Sequence, residues 1–174
     1  MATRHKEICS TCGSVISPYI YNFDYFDCQL LRMMAKEVMR RKHVENLSFT
    51  QANKVHTTTL NTTYTARSRT TKCSKLGLIA KYRTSEGTQE PGMWLITARG
   101  WAALRNEPVP ARVEVFRKQI TERPGELTTI QSIYEAKKEF FDAQEWYEFS
   151  DKRFSMEAGG VPVEQEPKGG EGGE

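Results

Sequence analysis

A chain of 174 residues, 38% apolar and 27% charged, has the apolar mass for one core of ordinary size. Nothing in it approaches the roughly 20 consecutive apolar residues of a membrane-spanning helix, and the N-terminus lacks the apolar run of a secretory signal, so the expected setting is the cytoplasm. The net charge of +3 hides an asymmetry: twelve Lys or Arg against two acids between Arg32 and Arg83, then five Glu against one Lys from Glu157 onward. Such a basic block suits a polyanionic partner, because an ordinary solvated surface mixes the signs.

Residues 1–21 carry Cys9-Ser10-Thr11-Cys12-Gly13, the turn used by zinc knuckles. Two thiolates three positions apart can hold one tetrahedral ion, and a glycine just after them permits the left-handed backbone that turns amides toward sulfur. Zinc needs four ligands, and the chain has no second CxxC. Cys9 and Cys12 are the principal candidates, His5 and Cys28 the next, with His43 and His56 as the other donors of the right type. The alternative is a free thiol pair. Redox use is disfavoured, since the residues after Gly13 run into Pro18 and do not open a helix.

From Phe23 to Lys42 the residues Phe23, Phe26, Leu30, Leu31, Met34, Val38 and Met39 recur at helical spacing. Asp24 and Asp27 at the start and Arg40-Arg41-Lys42 at the end suit the helix dipole. A short helix is expected over 50–57, with Thr50 as its N-cap. A third helix is expected over 61–76, with Thr62, Ala66, Cys73 and Leu76 inward and Tyr64, Arg67, Ser68, Thr71 and Lys75 outward. Gly77 should stop it through a left-handed C-cap. Strands near 78–83 and 93–97 then flank a polar run, Thr84 to Gly92, suited to an exposed wing, and Thr97 caps a helix through Leu104.

This order predicts an α+β protein: a winged helix-turn-helix over 22–106, an N-terminal zinc-knuckle-like segment over 1–21 and a small strand and helix extension over 107–156. In such a fold the third helix enters the major groove. The candidate nucleic-acid-binding residues are Tyr64, Arg67, Ser68, Arg69, Thr71, Lys72 and Lys75 on that helix, with Lys81 and Arg83 on the wing. Arginine is the commonest partner of guanine, and short hydroxyls reach phosphate while letting the helix sit close. Winged helices also dock proteins, so a protein partner stands as the alternative to double-stranded DNA.

The run Lys75-Leu76-Gly77-Leu78-Ile79-Ala80-Lys81, the block from Gly92-Met93-Trp94-Leu95-Ile96-Thr97 to Gly100, and Val109-Pro110 before Arg112-Val113-Glu114-Val115 resemble a group of small phage and mobile-element proteins. Those proteins combine an N-terminal CxxCG with a winged helix and a later VP strand. The resemblance covers about residues 8–135. It implies the fold and a DNA-associated, phage-type regulatory setting, with no settled activity. The Thr-rich third helix and the acidic Gly-rich end depart from that pattern.

Beyond Pro110, Arg112 to Arg117 alternates as a half-buried strand should, Ile120 and Leu127 are expected to close a hairpin against it, and Thr128 or Thr129 should cap a helix over 130–140. Phe141, Trp146, Tyr147 and Phe149 crowd a short acidic stretch, and the favoured cover for them is a host protein or a second copy through 128–150. Residues 157–174 lack apolar mass and are expected to be disordered. No phosphate-binding glycine loop, HExxH, nucleophile elbow or compact carboxylate set is present in the sequence, so the protein is expected to be no enzyme.

Overall fold

The computed structural model describes residues 7–61, 63–122, 125–142 and 144–146, and the backbone of 154–156 and 162–164. Helices and antiparallel strands mix along the chain in an α+β arrangement. None of the described helices is long and apolar enough to cross a membrane.

Helix α1, Tyr25–Val44, is the hub. Asp24 caps it in a capping box, its Oδ1 accepting from the amides of Phe26 and Asp27 at 3.0 and 3.3 Å while its own amide donates to Asp27 Oδ2 at 2.8 Å. Its apolar face buries Cys28, Leu30, Leu31, Met34, Ala35 and Val38 completely. Around it pack α2 (Phe49–Ala52), α3 (Tyr64–Arg67), α4 (Thr70–Lys75), α5 (Ala98–Leu104) and α6 (Ile130–Lys137).

Three differences from the sequence expectation lie in this unit. The short helix is Phe49–Ala52, capped by Ser48 with Gln51 in place of Thr50. Val55–His56, expected as its end, is a strand that pairs Val55 with Trp94 and His56 with Met93. The Asn53 side chain enforces this switch by bonding the Ile96 backbone on both sides, Nδ2 to the carbonyl at 3.0 Å and Oδ1 from the amide at 3.2 Å. Third, the helix expected over 61–76 is two helices, Tyr64–Arg67 and Thr70–Lys75, with a turn at Ser68 and Arg69. The hydroxyls explain the break: Thr63 caps the first piece at the Ala66 amide, and Ser68 Oγ donates to the Thr65 carbonyl at 2.8 Å, local bonds that compete with a continuous ladder. Ala66, Cys73 and Leu76 are buried as expected, and Thr62 lies outside the described residues.

Gly77 ends α4 in the left-handed region (φ 74°), and the strands Ile79–Arg83 and Gln89–Ile96 follow. The second of these is central in a three-stranded sheet, with Val55–His56 on one side and Ile79–Arg83 on the other. It starts earlier than expected, so the connecting loop is only Thr84 to Thr88. Thr97 caps α5, accepting from the Gly100 amide at 3.1 Å, and its hydroxyl donates to the Gly77 carbonyl at 2.5 Å.

Gly100 sits where a Cβ would stand 2.2 Å from the Leu78 carbonyl oxygen and 2.7 Å from Ile96 Cγ2. Alanine would gain at most about 1 kcal/mol of helix propensity there. The overlap with a backbone atom outweighs that gain. Gly100→Ala is therefore expected to lose about 1–3 kcal/mol net, read as a lower urea midpoint at unchanged m-value.

Segments before α1 and after α5 share a second sheet. Strand Tyr19–Asn22 pairs with Arg112–Phe116, which pairs in turn with Gln119–Glu122. A bond from Arg117 to Glu7 at 2.5 Å ties the N-terminal hairpin to the same region. Ile120 faces Val115, whereas Leu127 pairs with Pro110, so these two residues, expected to close one hairpin, belong to separate ladders. Thr129 caps α6, which stops at Lys137 because Lys138 is left-handed (φ 58°). Phe141 and Trp146 cluster on Tyr134; Trp146 is 2% exposed and so is covered by the chain itself, whereas Phe141 is half-buried. Tyr147 and Phe149 lie outside the described residues. Within the C-terminal stretch, Phe154–Met156 pairs antiparallel with Pro162–Glu164.

Candidate nucleic-acid interface

The basic block divides by partner. On α1, Arg40 forks onto Glu37 at 2.7 and 2.8 Å and reaches Glu45 at 2.7 Å. Arg41 donates to the carbonyls of Ala52 and Lys54 and so closes the end of α2. Arg32 and Lys36 meet Glu145, and the Arg32 guanidinium lies 5.8 Å from the centre of the Trp146 ring. These cations are engaged within the chain.

Two of the sequence candidates are engaged as well. Lys72 Nζ stands 2.5 Å from Asp24 Oδ2 and 2.9 Å from Asp27 Oδ2, and Arg69 is 3.3 Å from Asp24 while its guanidinium lies 5.7 Å from the Phe26 ring centre. Asp27 is fully buried, which raises its carboxyl above the usual value despite Lys72. Asp24 is also pushed up by burial, but Lys72 and Arg69 together outweigh that and hold it below the ordinary range. Cys73 donates to Asp27 Oδ1 at 3.6 Å, and burial raises the thiols of Cys28 and Cys73 well above the ordinary value. Lys72 and Arg69 thus hold α4 to the start of α1, a role that spacing alone does not reveal.

The remaining candidates are exposed or half-buried. Tyr64 is 79% exposed, Ser68, Thr71, Lys81 and Arg83 are exposed, and Lys75 is half-buried. Among the described residues no acid pairs with Arg67, Lys75, Lys81 or Arg83. Arg67 is half-buried, and its Nε has no hydrogen-bond partner among the described residues. It lines an open cavity of about 340 Å³ with Thr57, Thr58, Tyr64 and Ser68. Lys81 also stands 5.8 Å from the Trp94 ring centre. Thr57, Thr58 and Lys54 were not among the sequence candidates. Lys54 bonds the Tyr82 hydroxyl at 3.0 Å beside the wing strand, and the Thr57-Thr58-Thr59 run was the available signal for the two threonines. His56 Nδ1 lies 2.6 Å from Thr58 Oγ1 at the rim.

At the other end, Glu7–Ile8 and Val15–Ile16 form a hairpin with the CxxCG turn at its tip. The Gly13 amide donates to the Cys9 carbonyl at 2.8 Å with Gly13 at φ 68°, and the Cys9 amide donates to the Ser14 carbonyl at 2.8 Å. Backbone amides of Cys12 and Thr11, and the Cys12 thiol, aim at the Cys9 sulfur and lower its pKa. Cys12 is exposed, its sulfur 2.9 Å from Ser14 Oγ. Cys28 is fully buried on α1 and is not brought to this pair, and His5 lies outside the described residues. Among the described residues no three His, Cys, Asp or Glu side chains converge as a metal group.

Fold and surface together define an α+β protein in which four cations, Arg67, Lys75, Lys81 and Arg83, have no acid paired with them among the described residues, Arg67 beside a hydroxyl-lined cavity, and which carries an exposed CxxC hairpin near the N-terminus. Comparison of the chain with protein-family models, with curated proteins and with solved structures found no match.

Proposed function

We propose that residues 22–106 form a winged helix-turn-helix, and that the chain is a non-enzymatic DNA-binding regulatory protein of the phage or mobile-element type. The order supports the fold assignment: a long helix, a short helix, a strand, two helices joined at a two-residue turn, then a hairpin whose second strand takes up the earlier strand. One observation carries the function. The cations of α1 are engaged within the chain, whereas Arg67, Lys75, Lys81 and Arg83 have no acid beside them among the described residues. A cation with no acid beside it offers its solvent-facing N–H groups to an oxyanion from outside through charge-assisted hydrogen bonds.

The brevity of α3 and α4 favours a second reading, a winged helix that docks a host protein. Four and six residues give little length to lay along a groove. Salt separates the two readings, because a phosphate binder loses affinity steeply as counterions are restored. A mobility shift at rising salt beside a pull-down from host lysate decides between them. No retained duplex at low salt, with a host protein captured, would retire the DNA reading.

The same assay ranks the residues. Lys81→Ala with Arg83→Ala should weaken binding equally on matched and scrambled duplexes and flatten the salt slope by about 2, one unit per phosphate contact. Arg67→Ala should cost about 1–3 kcal/mol on the matched duplex if the guanidinium also meets a base. Arg40→Ala should leave both affinities unchanged, since Glu37 and Glu45 already neutralise it. Equal losses for Arg67→Ala on both duplexes would make Arg67 a phosphate contact.

A further inference from the structure

The cysteine hairpin presents half a metal site and an uncovered apolar pair beside it. Cys9 and Cys12 both lie in the turn at the tip, shaped by the Gly13 to Cys9 and Cys9 to Ser14 backbone bonds. Cross-strand partners Ile8 and Val15, adjoining that turn, are 71% and 58% exposed. The base of the hairpin is fixed by Glu7 to Arg117, at the end away from the thiols. A tetrahedral ion needs four donors, and a structural zinc site with only two would be left open to water and exchange. Cys28 and Cys73 sit in the core and cannot come to the tip without unfolding α1 or α4.

We infer that two copies of the chain share one zinc ion, each hairpin supplying Cys9 and Cys12. Four thiols then coordinate the metal as thiolates and release their protons to solvent. The Ile8 and Val15 pairs of the two hairpins come together beneath the ion, so the same contact that completes the ligand set covers the exposed apolar surface. This pairing is independent of what the basic stretch binds. It leaves Arg67, Lys81 and Arg83 of each copy untouched, and would present two such stretches to one partner.

The test uses the full chain, kept reduced with a phosphine, supplied with zinc and desalted. Metal analysis should return one zinc per two chains, and sedimentation should give twice the 20.0 kDa chain mass. A strong chelator should return the single-chain mass. Cys12→Ser should abolish both zinc retention and pairing while keeping the thermal midpoint of the chelator-treated parent chain, because Cys12 lies outside the core. His5→Ala should retain both. Cobalt in place of zinc should give the absorption of a tetrahedral all-thiolate site. One zinc per chain at single-chain mass, zinc loss in His5→Ala, or no retained zinc would each overturn the proposal. So would a pair that persists through chelation and in Cys12→Ser.

Discussion

Lys72→Ala is expected to destabilise the protein by about 3–5 kcal/mol, because it leaves the fully buried Asp27 carboxylate without its cation. That is a large part of the roughly 5–15 kcal/mol that separates a typical domain from its unfolded chain. The loss should depend on pH in a defined direction. Burial raises Asp27, so its own contribution is complete below the unfolded carboxylate value and declines as pH rises through the raised one. Asp24 is held low, so its contribution is present above the unfolded value and disappears as pH falls through the depressed one. Lys72 is the cation common to both. Its removal should therefore hurt most near neutral pH, where both carboxylates are charged, and progressively less in acid, as Asp27 takes up its proton above the ordinary carboxylate range of about pH 4 and Asp24 below it. Urea unfolding of both proteins at the two pH values measures this. A deficit of equal size at both would mean that Lys72 acts by packing alone. The double change Asp27→Asn with Lys72→Met should recover much of the loss, since replacing a buried pair together is far less costly than breaking it.

Trp101→Ala should cost a comparable amount, about 3–5 kcal/mol, through loss of buried surface and the cavity left behind. Trp101 is 1% exposed, with its ring 5.4 Å from that of Phe49 at 54°. It anchors α5 to α2 on the side of the unit that holds the three-stranded sheet. Trp101→Phe should lose clearly less, because most of the ring contact survives. Chemical denaturation gives the ranking, and an alanine variant within 1 kcal/mol of the parent would place Trp101 outside the core.

Both changes act on stability and bear on how binding data are read. Lys72 belongs by sequence to the basic stretch, and its loss would depress DNA retention without any contact to DNA. A thermal midpoint measured beside every mobility shift separates that effect from the loss of a proposed contact such as Arg83.

The sequence by itself determined the elements whose signals are local. The three-and-four spacing of Leu30, Leu31, Met34 and Val38 specifies α1, Gly77 stops α4, Thr97 caps α5, and the polar turn between two apolar runs specifies the hairpin. The CxxCG turn is likewise readable, since its shape depends on five consecutive residues. Tertiary structure decided the rest. Val55–His56 is a strand because Asn53 meets the Ile96 backbone 43 positions away. Tyr19–Asn22 finds its partner at Arg112–Phe116 across the whole helical unit. Lys72 and Arg69 carry the same charge as Lys81 and Arg83, yet the first two are engaged by Asp24, 48 positions before Lys72, and the others have no such acid. A charge in a sequence fixes sign but not distance, and Coulomb attraction is strong only within a few ångströms and out of water. Which cations stay available to a partner is therefore set by the packing of α4 on α1.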